Sequence, residues 1–187
     1  MFRTIDKSEI LKKYASGTKN FKQITLTAVN LSWENLQNIN LDKSRLIDVN
    51  FTGCKLSQAS FKKAYLALSN FQSSCLQKTN LQQANLTEAN LQKANLRNAD
   101  LQNADLKEAN LYQANLQGAL LKGVKLEKTN FKEALYDRYT IFDEDFDPNA
   151  VGMIYCKNGQ PEKEFSSNRK ANTNRGLGKM LKSVWSF

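Results

Sequence analysis

Leucine or phenylalanine occupies every fifth position of this chain from Phe21 to Phe131 without a break, and this period constrains the fold more than any other feature. We call these 23 positions the centres; 18 are Leu and 5 are Phe. A period of five fits no regular element, because successive centres rotate by about 140° around an α-helix and alternate between the two faces of a β-strand. The chain must therefore bend in every repeat, and a chain that bends at regular intervals coils.

The residues around each centre are also restricted. Two residues before it, 21 of 23 repeats carry a small or modest side chain, the exceptions being Lys19 and Glu34. One residue before it, 15 of 23 are Asn or Asp, which tolerate turn conformations and hydrogen-bond nearby backbone. We expect the centres and the small residues to point inward and to stack on the coils above and below.

The repeat alone leaves the number of residues in a coil open. Asn precedes the centre at positions 30, 50, 70, 90, 110 and 130, and Phe51 and Phe71 share this spacing of twenty. The spacing favours four repeats per coil, with Asn stacked on Asn. Because neighbouring coils lie one strand spacing apart, about six coils would form a rod of about 27 Å.

These residues resemble the pentapeptide-repeat family, whose motif is A-(D/N)-L-x-x. The clearest stretch is ANLTEANLQKANLRNADLQNADLKEANLYQANL, residues 84–116, and the resemblance covers residues 19–133. It implies an all-β fold, a right-handed quadrilateral β-helix of about six coils. The flanks, SEILKKYASGTKNFKQITL and ALYDRYTIFDEDFDPNAVGM, resemble the capping helix and closing segment of members common in cyanobacteria.

The chain is expected to divide into five parts. Residues 1–17 are predicted to form an N-terminal capping helix, with Ser8 as N-cap and Gly17 as its stop. Residues 18–135 form the repeat region, 136–156 a closing segment, 157–175 a flexible linker and 176–187 an amphipathic basic tail helix, so that the chain ends in a helical or irregular extension. Glu34 should make the first coil irregular or turn outward, because an unpaired buried carboxylate is costly; Trp33 is expected to pack there.

The tail carries apolar residues at helical spacing: Leu177, Met180, Leu181, Val184 and Trp185. A helix this short needs a surface to form on. Three surfaces stay open: the protein's own barrel, the groove of a protein partner, and an anionic membrane surface, since residues 166–187 contain basic and no acidic side chains.

Four-sided coils would place two kinds of binding residue outward. Ile47, Tyr65 and Leu68, with Ala67, should form an apolar cluster on neighbouring coils, covered by the terminal segments, by a second copy in a homodimer, or by a foreign partner. A candidate basic surface comprises Lys22, Lys43, Lys62, Lys63, Lys78 and Arg97.

Composition excludes several classes of function. The chain contains no His, which removes His-based catalysis and His metal ligands, and it has no Gly-rich phosphate loop, so we expect no enzyme, no metal and no cofactor. Asp143, Asp145 and Asp147 begin a calcium-loop spacing, but Pro148 and Ile154 occupy its required Gly and Glu positions. Three cysteines and no secretory signal indicate reduced thiols in the cytoplasm, with Cys54 inward and inert, and Cys75 outward.

The sequence therefore favours a non-catalytic regulatory or scaffolding module that binds a protein. The resemblance also suggests an alternative function, that of a DNA-mimicking inhibitor or protector of gyrase. Mimicry of DNA needs a negative surface, but residues 19–133 hold 15 basic and 9 acidic residues, a net of +6. The overall net charge of +9 would attract nucleic acid, yet the lysines are scattered without an aromatic row for base stacking.

Overall fold

The computed structural model describes residues 2–161 of the chain. Within this range, helix α1 spans Lys7–Ala15, and the short strands are β1 Arg3–Thr4, β2 Ile24–Thr27, β3 Arg45–Ile47, β4 Leu135–Tyr136, β5 Ile154–Lys157 and β6 Gln160–Pro161. Strands β1, β2 and β3 are parallel neighbours in one sheet. In the second sheet β4 pairs with β5 in parallel, and β6 closes it antiparallel to β5.

Between the two sheets, parallel bridges join residues twenty positions apart, as in a β-helix. The Asn positions pair in one continuous column, Asn30 with Asn50, Asn50 with Asn70, and so on to Asn130. Each coil therefore holds four repeats, as the Asn spacing predicts. The first coil keeps the same register, since Asn20 pairs with Asn40 and Asn35 with Lys55. Of the two outcomes expected there, the structure shows the second: the coil stays regular and Glu34 turns outward.

The core is the stack of centres. Every centre from Phe21 to Phe131 is at most 5% exposed, apart from the half-buried Leu126. The rings of Phe51 and Phe71 stack with centroids 4.8 Å apart, and Phe61 meets both edge-on. Where Ser or Thr replaces Ala beside the centres, the buried hydroxyl donates to a backbone carbonyl, as Ser69 does to Leu46 at 2.8 Å. The core therefore accepts these residues without an unsatisfied hydroxyl.

A turn in every repeat produces the coil. The second residue after the centre, which we call the turn position, has a positive φ, close to 57° in most repeats. The N–H of the next residue donates back to the centre's carbonyl, as Ala94 does to Leu91 at 3.0 Å. This is the geometry of a type II turn, which requires positive φ at its third residue. The Asn or Asp before the centre accepts the N–H two residues on, for example Asn85 from Thr87 at 3.0 Å.

Helix α1 caps the N-terminal end of the coil. Its N-cap is Asp6, whose carboxylate accepts the Glu9 N–H at 2.8 Å, so the prediction of Ser8 was wrong by two residues, and Ser8 lies within the first turn. At the other end the Gly17 N–H donates to Tyr14 O and the Thr18 N–H to Lys13 O, which is a Schellman motif, and Gly17 has φ +98° as that motif requires.

Residues of α1 also pack on the first coil. Ile10 is fully buried in the core, and the Tyr14 hydroxyl donates to Gln37 O at 2.8 Å. The Lys19 ammonium lies 3.1 Å from the centroid of the Tyr14 ring. Glu34 turns outward and pairs with Lys7 of α1, at 3.0 Å between Nζ and Oε1. The two unusual residues of the first coil therefore attach the cap instead of disturbing the core.

The segment after Phe131 covers the opposite end in part. The ring of Phe146 packs edge-on against Phe131 with centroids 5.6 Å apart, and Phe142 stacks on Phe146 at 4.8 Å. Tyr139, Ile141 and Val151 of the same segment are exposed. The Ile141 backbone extends the coil by pairing with Leu120, and its side chain points away from the core.

The predicted tail helix, with Leu177, Met180, Leu181, Val184 and Trp185, lies outside the described residues, as does the predicted linker beyond Pro161. The division of the chain into five parts stays a prediction. In residues 2–161 no helix combines the length and apolar character needed to cross a bilayer.

Candidate interaction surface

The register brings the predicted apolar residues and part of the predicted basic surface together. Arg45 and Tyr65 pair on neighbouring coils, with the guanidinium carbon 5.8 Å from the ring centroid. Arg45 follows Lys43 by two residues, and Tyr65 follows Lys63 by two residues. We call the resulting group the basic–aromatic cluster; it consists of Lys43, Arg45, Ile47, Lys63, Tyr65 and Leu68.

The members of the cluster differ in exposure. Tyr65 is 41% and Leu68 is 53% exposed, whereas Ile47 is half-buried in β3 and Ala67 is only 7% exposed. Ala67 therefore does not contribute the outward surface that was expected, because it is short and lies between Ile47 and Thr87 of the neighbouring coils. The apolar part of the surface consists chiefly of Tyr65 and Leu68.

The cluster is positively charged. Across residues 43–48 and 63–68, Lys43, Arg45 and Lys63 accompany a single carboxylate, Asp48. Lys43 and Lys63 occupy one column of turn positions with φ of 57° and 58°, are exposed, and make no ion pair within residues 2–161. The neighbouring Lys22 instead lies 3.8 Å from Asp42, whose carboxylate also accepts the Lys62 N–H at 3.0 Å. The potential of the cluster is therefore not neutralised internally.

Leu68 is unusual as an exposed apolar residue at a turn position. It occupies a turn position with φ 63°, where most other repeats have a polar residue or Gly. A side chain with a Cβ costs about 1–2 kcal/mol in the left-handed region relative to Gly. Leu68 shares this backbone cost with the other non-Gly turn positions, but it exposes a large apolar side chain there, which points to a requirement outside the folding of the coil.

The sequence missed Trp33 as a surface residue. It was expected to be packed, but it is 73% exposed, because the regular first coil places residue 33 at a turn position with φ 65°. One face of the indole lies on Gly53, where a Cβ would come within 2.3 Å of the ring. Trp33 occupies the turn position next to the column of Leu68, so it lies near the basic–aromatic cluster but outside it. Trp33 directly precedes Glu34, so the irregularity expected at Glu34 was the reason for the wrong prediction.

The remaining basic candidates lie on a different side of the coil. Lys78 and Arg97 are exposed and follow centres in the column of Leu36, whereas the basic–aromatic cluster surrounds the centres Leu46 and Leu66. The structure therefore divides the predicted basic surface into two parts. Arg97 also borders a cleft near the C-terminal end of the coils.

The thiols do not form a reactive site. Cys54 is fully buried, and burial raises the pKa of its thiol to about 12. Its Sγ donates to Leu31 O at 2.6 Å. Cys75 is half-buried, and all three cysteines are free. In residues 2–161 no three side chains of the metal-binding types gather at one point.

Comparison with known families gives two matches in the repeat region. A family model described as "Pentapeptide repeat region" matches residues 44–131, and one described as "Pentapeptide repeats (8 copies)" matches residues 24–62. Together the two ranges extend from residue 24 to residue 131. No curated protein sequence matches the chain.

Solved structures of repeat proteins are also similar to the chain. A pentapeptide repeat protein, Rfr23, from the cyanobacterium Cyanothece 51142 is 29% identical over 73% of this chain and 99% of its own, with a TM-score of 0.37. HetL from Nostoc sp. strain PCC 7120, involved in heterocyst differentiation regulation, is 26% identical over 73% and 70%, with a TM-score of 0.28. QnrB1, a plasmid-mediated fluoroquinolone resistance protein, is 16% identical over 83% and 92%, with a TM-score of 0.47. Because all three TM-scores are below 0.5, the assignment of the chain to a family rests on the two family models and not on these structures.

Proposed function

Because the chain belongs to the pentapeptide-repeat family, a family of right-handed β-helices, we propose that it is a non-catalytic module that binds a protein partner in a regulatory or scaffolding role. We propose further that its coils, about six in number, have a quadrilateral cross-section, which the four turns in each twenty-residue coil support. Flat sides of this kind hold outward side chains at fixed spacing.

The observation that carries the proposal is Leu68. A leucine that is 53% exposed and held at φ 63° stabilises neither the core nor the turn. Its neighbours Tyr65 and Arg45 are residue types enriched where proteins bind one another, and Tyr65 is likewise exposed. The backbones of Arg45 and Tyr65 are paired within the coil and therefore already ordered, so little backbone entropy would be lost on binding.

Charge indicates the kind of partner. With Lys43, Arg45 and Lys63 beside the apolar pair, the complementary surface would be acidic around an apolar centre. A second copy of the chain would bring like charges together if it docked through the same cluster, which disfavours a symmetric homodimer there. The DNA-mimic alternative meets the same difficulty as before, because the repeat region is basic.

The predictions about nucleic acid, a membrane surface and the location of the protein in the cell stay open. Binding of nucleic acid is disfavoured by the scattering of the lysines, and a membrane contact would depend on the tail, outside the described residues. A cytoplasmic location is part of the proposal and stays a prediction.

The test is a pull-down with the full chain from nuclease-treated native lysate, followed by mass spectrometry. The variants are Leu68→Gln and Tyr65→Asn, and the matched control is Val151→Gln, which removes an exposed apolar residue of the closing segment. We expect one or more partners to be lost with both cluster variants and retained with the control. Identical partner sets for all four proteins would contradict the assignment of the cluster.

A further inference from the structure

A cleft of about 560 Å³ lies between the last coils and the segment that closes them. The coils contribute Arg97 and Gln117, the closing segment contributes Asp137, Arg138 and Tyr155, and Lys157 follows that segment directly. This volume lies in the range of small-molecule sites, about 300–1,000 Å³. The cleft is on the side of the coil that carries Arg97, away from the basic–aromatic cluster.

Gln117 at the edge of this cleft has an unsatisfied donor. The residue is 3% exposed, and its Nε2 is buried without a hydrogen-bond partner in the described part of the chain. The equivalent glutamine two coils earlier, Gln77, is only half-buried and leaves no buried donor without a partner. A buried amide that donates to nothing is costly, so its presence at the cleft indicates an acceptor that comes from outside the fold.

The charges around the cleft specify that acceptor. Two guanidinium groups, Arg97 and Arg138, line the cleft together with a single carboxylate, Asp137, and Arg138 also donates a hydrogen bond to the Tyr139 hydroxyl. One oxygen of that carboxylate is already engaged, because Oδ1 of Asp137 accepts the N–H groups of Gly118 and Tyr139, both at 3.0 Å. Guanidinium groups match carboxylate and phosphate oxygens in fork geometry. The cleft therefore combines excess positive charge, two such groups and one unused amide donor.

We propose that this cleft binds a small molecule carrying an oxyanion, a carboxylate or a phosphate, with Gln117 Nε2 donating to one of its oxygens and Arg97 and Arg138 neutralising its charge. Tyr155, on β5, supplies an apolar wall for the rest of the ligand. The site depends on both the coil and the closing segment, so its occupancy would fasten one to the other.

The experiment titrates the full chain with three probes: inorganic phosphate, citrate and adenosine monophosphate. Affinity is measured by calorimetry, and the side-chain amide resonance of Gln117 is followed by NMR. We expect saturable binding of at least one probe together with a shift of the Gln117 amide. If only citrate binds, the ligand carries a carboxylate. If only inorganic phosphate or adenosine monophosphate binds, the ligand carries a phosphate.

Variants separate the cleft from general charge attraction. Arg97→Gln and Arg138→Gln should each weaken binding by about ten- to a hundredfold, the usual value of a charged hydrogen bond. Lys55→Gln, which removes an exposed charge from the same side of the coil outside the cleft, should leave the affinity unchanged.

Gln117→Met should weaken binding while it raises the unfolding temperature of the free protein, since it removes the unsatisfied amide. Any one of three results would overturn the proposal: equal loss of affinity in Lys55→Gln and Arg97→Gln, unchanged affinity in Gln117→Met, or no saturable binding of any probe. None of these outcomes depends on the partner of the basic–aromatic cluster.

Discussion

The early coils, residues 21–71, and the central coils, residues 84–116, share one backbone but present different surfaces. Leu66 and Leu96 are both fully buried centres, and their turn positions have φ values of 63° and 57°. Outward, the early coils carry Arg45 and Tyr65 in a column where the central coils carry Asn85 and Asp105. The inward residues therefore determine the coil, and the outward residues can change without altering it.

The outward change has a cost in hydrogen bonds. Asn85 accepts the Thr87 N–H at 3.0 Å and Asp105 accepts the Lys107 N–H at 3.1 Å. The Arg45 side chain has no acceptor, and the Tyr65 hydroxyl lies at the far end of its ring, so neither replaces this bond. Each such bond contributes about 0.5–1.5 kcal/mol. Parallel pairing nevertheless continues through Arg45 and Tyr65, so the side-chain bonds support the turns without being required for them.

The largest expected effect tests whether the two regions share one core. Leu66→Ala and Leu96→Ala should each destabilise the protein by about 2–5 kcal/mol, because both remove a fully buried leucine from a closely packed column. Urea unfolding of the two variants measures the change. A much smaller loss for Leu66→Ala would show that the early coils are packed more loosely than the central ones.

The sequence predicted the parts of this structure that depend on the repeat alone. The centres, the small-residue columns and the twenty-residue register follow from the five-residue period and the Asn spacing, since every repeat meets the same neighbours. The N-cap was misplaced because both Asp6 and Ser8 are good caps, and only the Glu9 N–H bond to Asp6 distinguishes them. The exposure of Trp33 was predicted wrongly because Glu34 was taken as a sign that the first coil is distorted. Glu34 is instead held at the surface by its ion pair with Lys7.

The next effect tests the strain assigned to Leu68. Leu68→Gly should stabilise the protein by about 0.5–1 kcal/mol, because relief of the left-handed backbone outweighs the greater freedom of Gly in the unfolded chain. Glu88→Gly, one coil later in the same column with φ 57°, should give a similar gain in the same urea measurement. Binding should distinguish the pair, because only Leu68→Gly should lose the protein partner.

The candidate sites were less accessible from sequence than the fold. The basic–aromatic cluster was found only as separate lists of apolar and basic residues, since their contact depends on which column each residue occupies. The cleft was not foreseen, because Gln117 and Arg138 come from segments whose approach is set by the nonrepetitive path of the closing segment. The repeat predicts its own neighbours and carries no information on that path.

The smallest expected effect concerns the point where the cap meets the early coils. Glu34 occupies the column that holds Ala94 and Ala114 in the central coils, and it lies 3.0 Å from Lys7 of α1. Because both side chains are partly exposed, the pair should contribute at most about 1 kcal/mol. A double-mutant cycle with Lys7→Gln and Glu34→Gln, followed by urea unfolding at low and high salt, measures this coupling.

High salt should reduce the coupling towards zero, because the screening length falls to about 3 Å at 1 M. The matched control is Lys128 with Glu108, an exposed pair 3.4 Å apart that joins two coils instead of cap and coil. A coupling at residues 7 and 34 that persists in high salt would mean that the cap shields the pair from solvent. Glu34 would then hold the cap in place, and replacing it with the Ala of the central coils would loosen α1 while leaving the coil register intact.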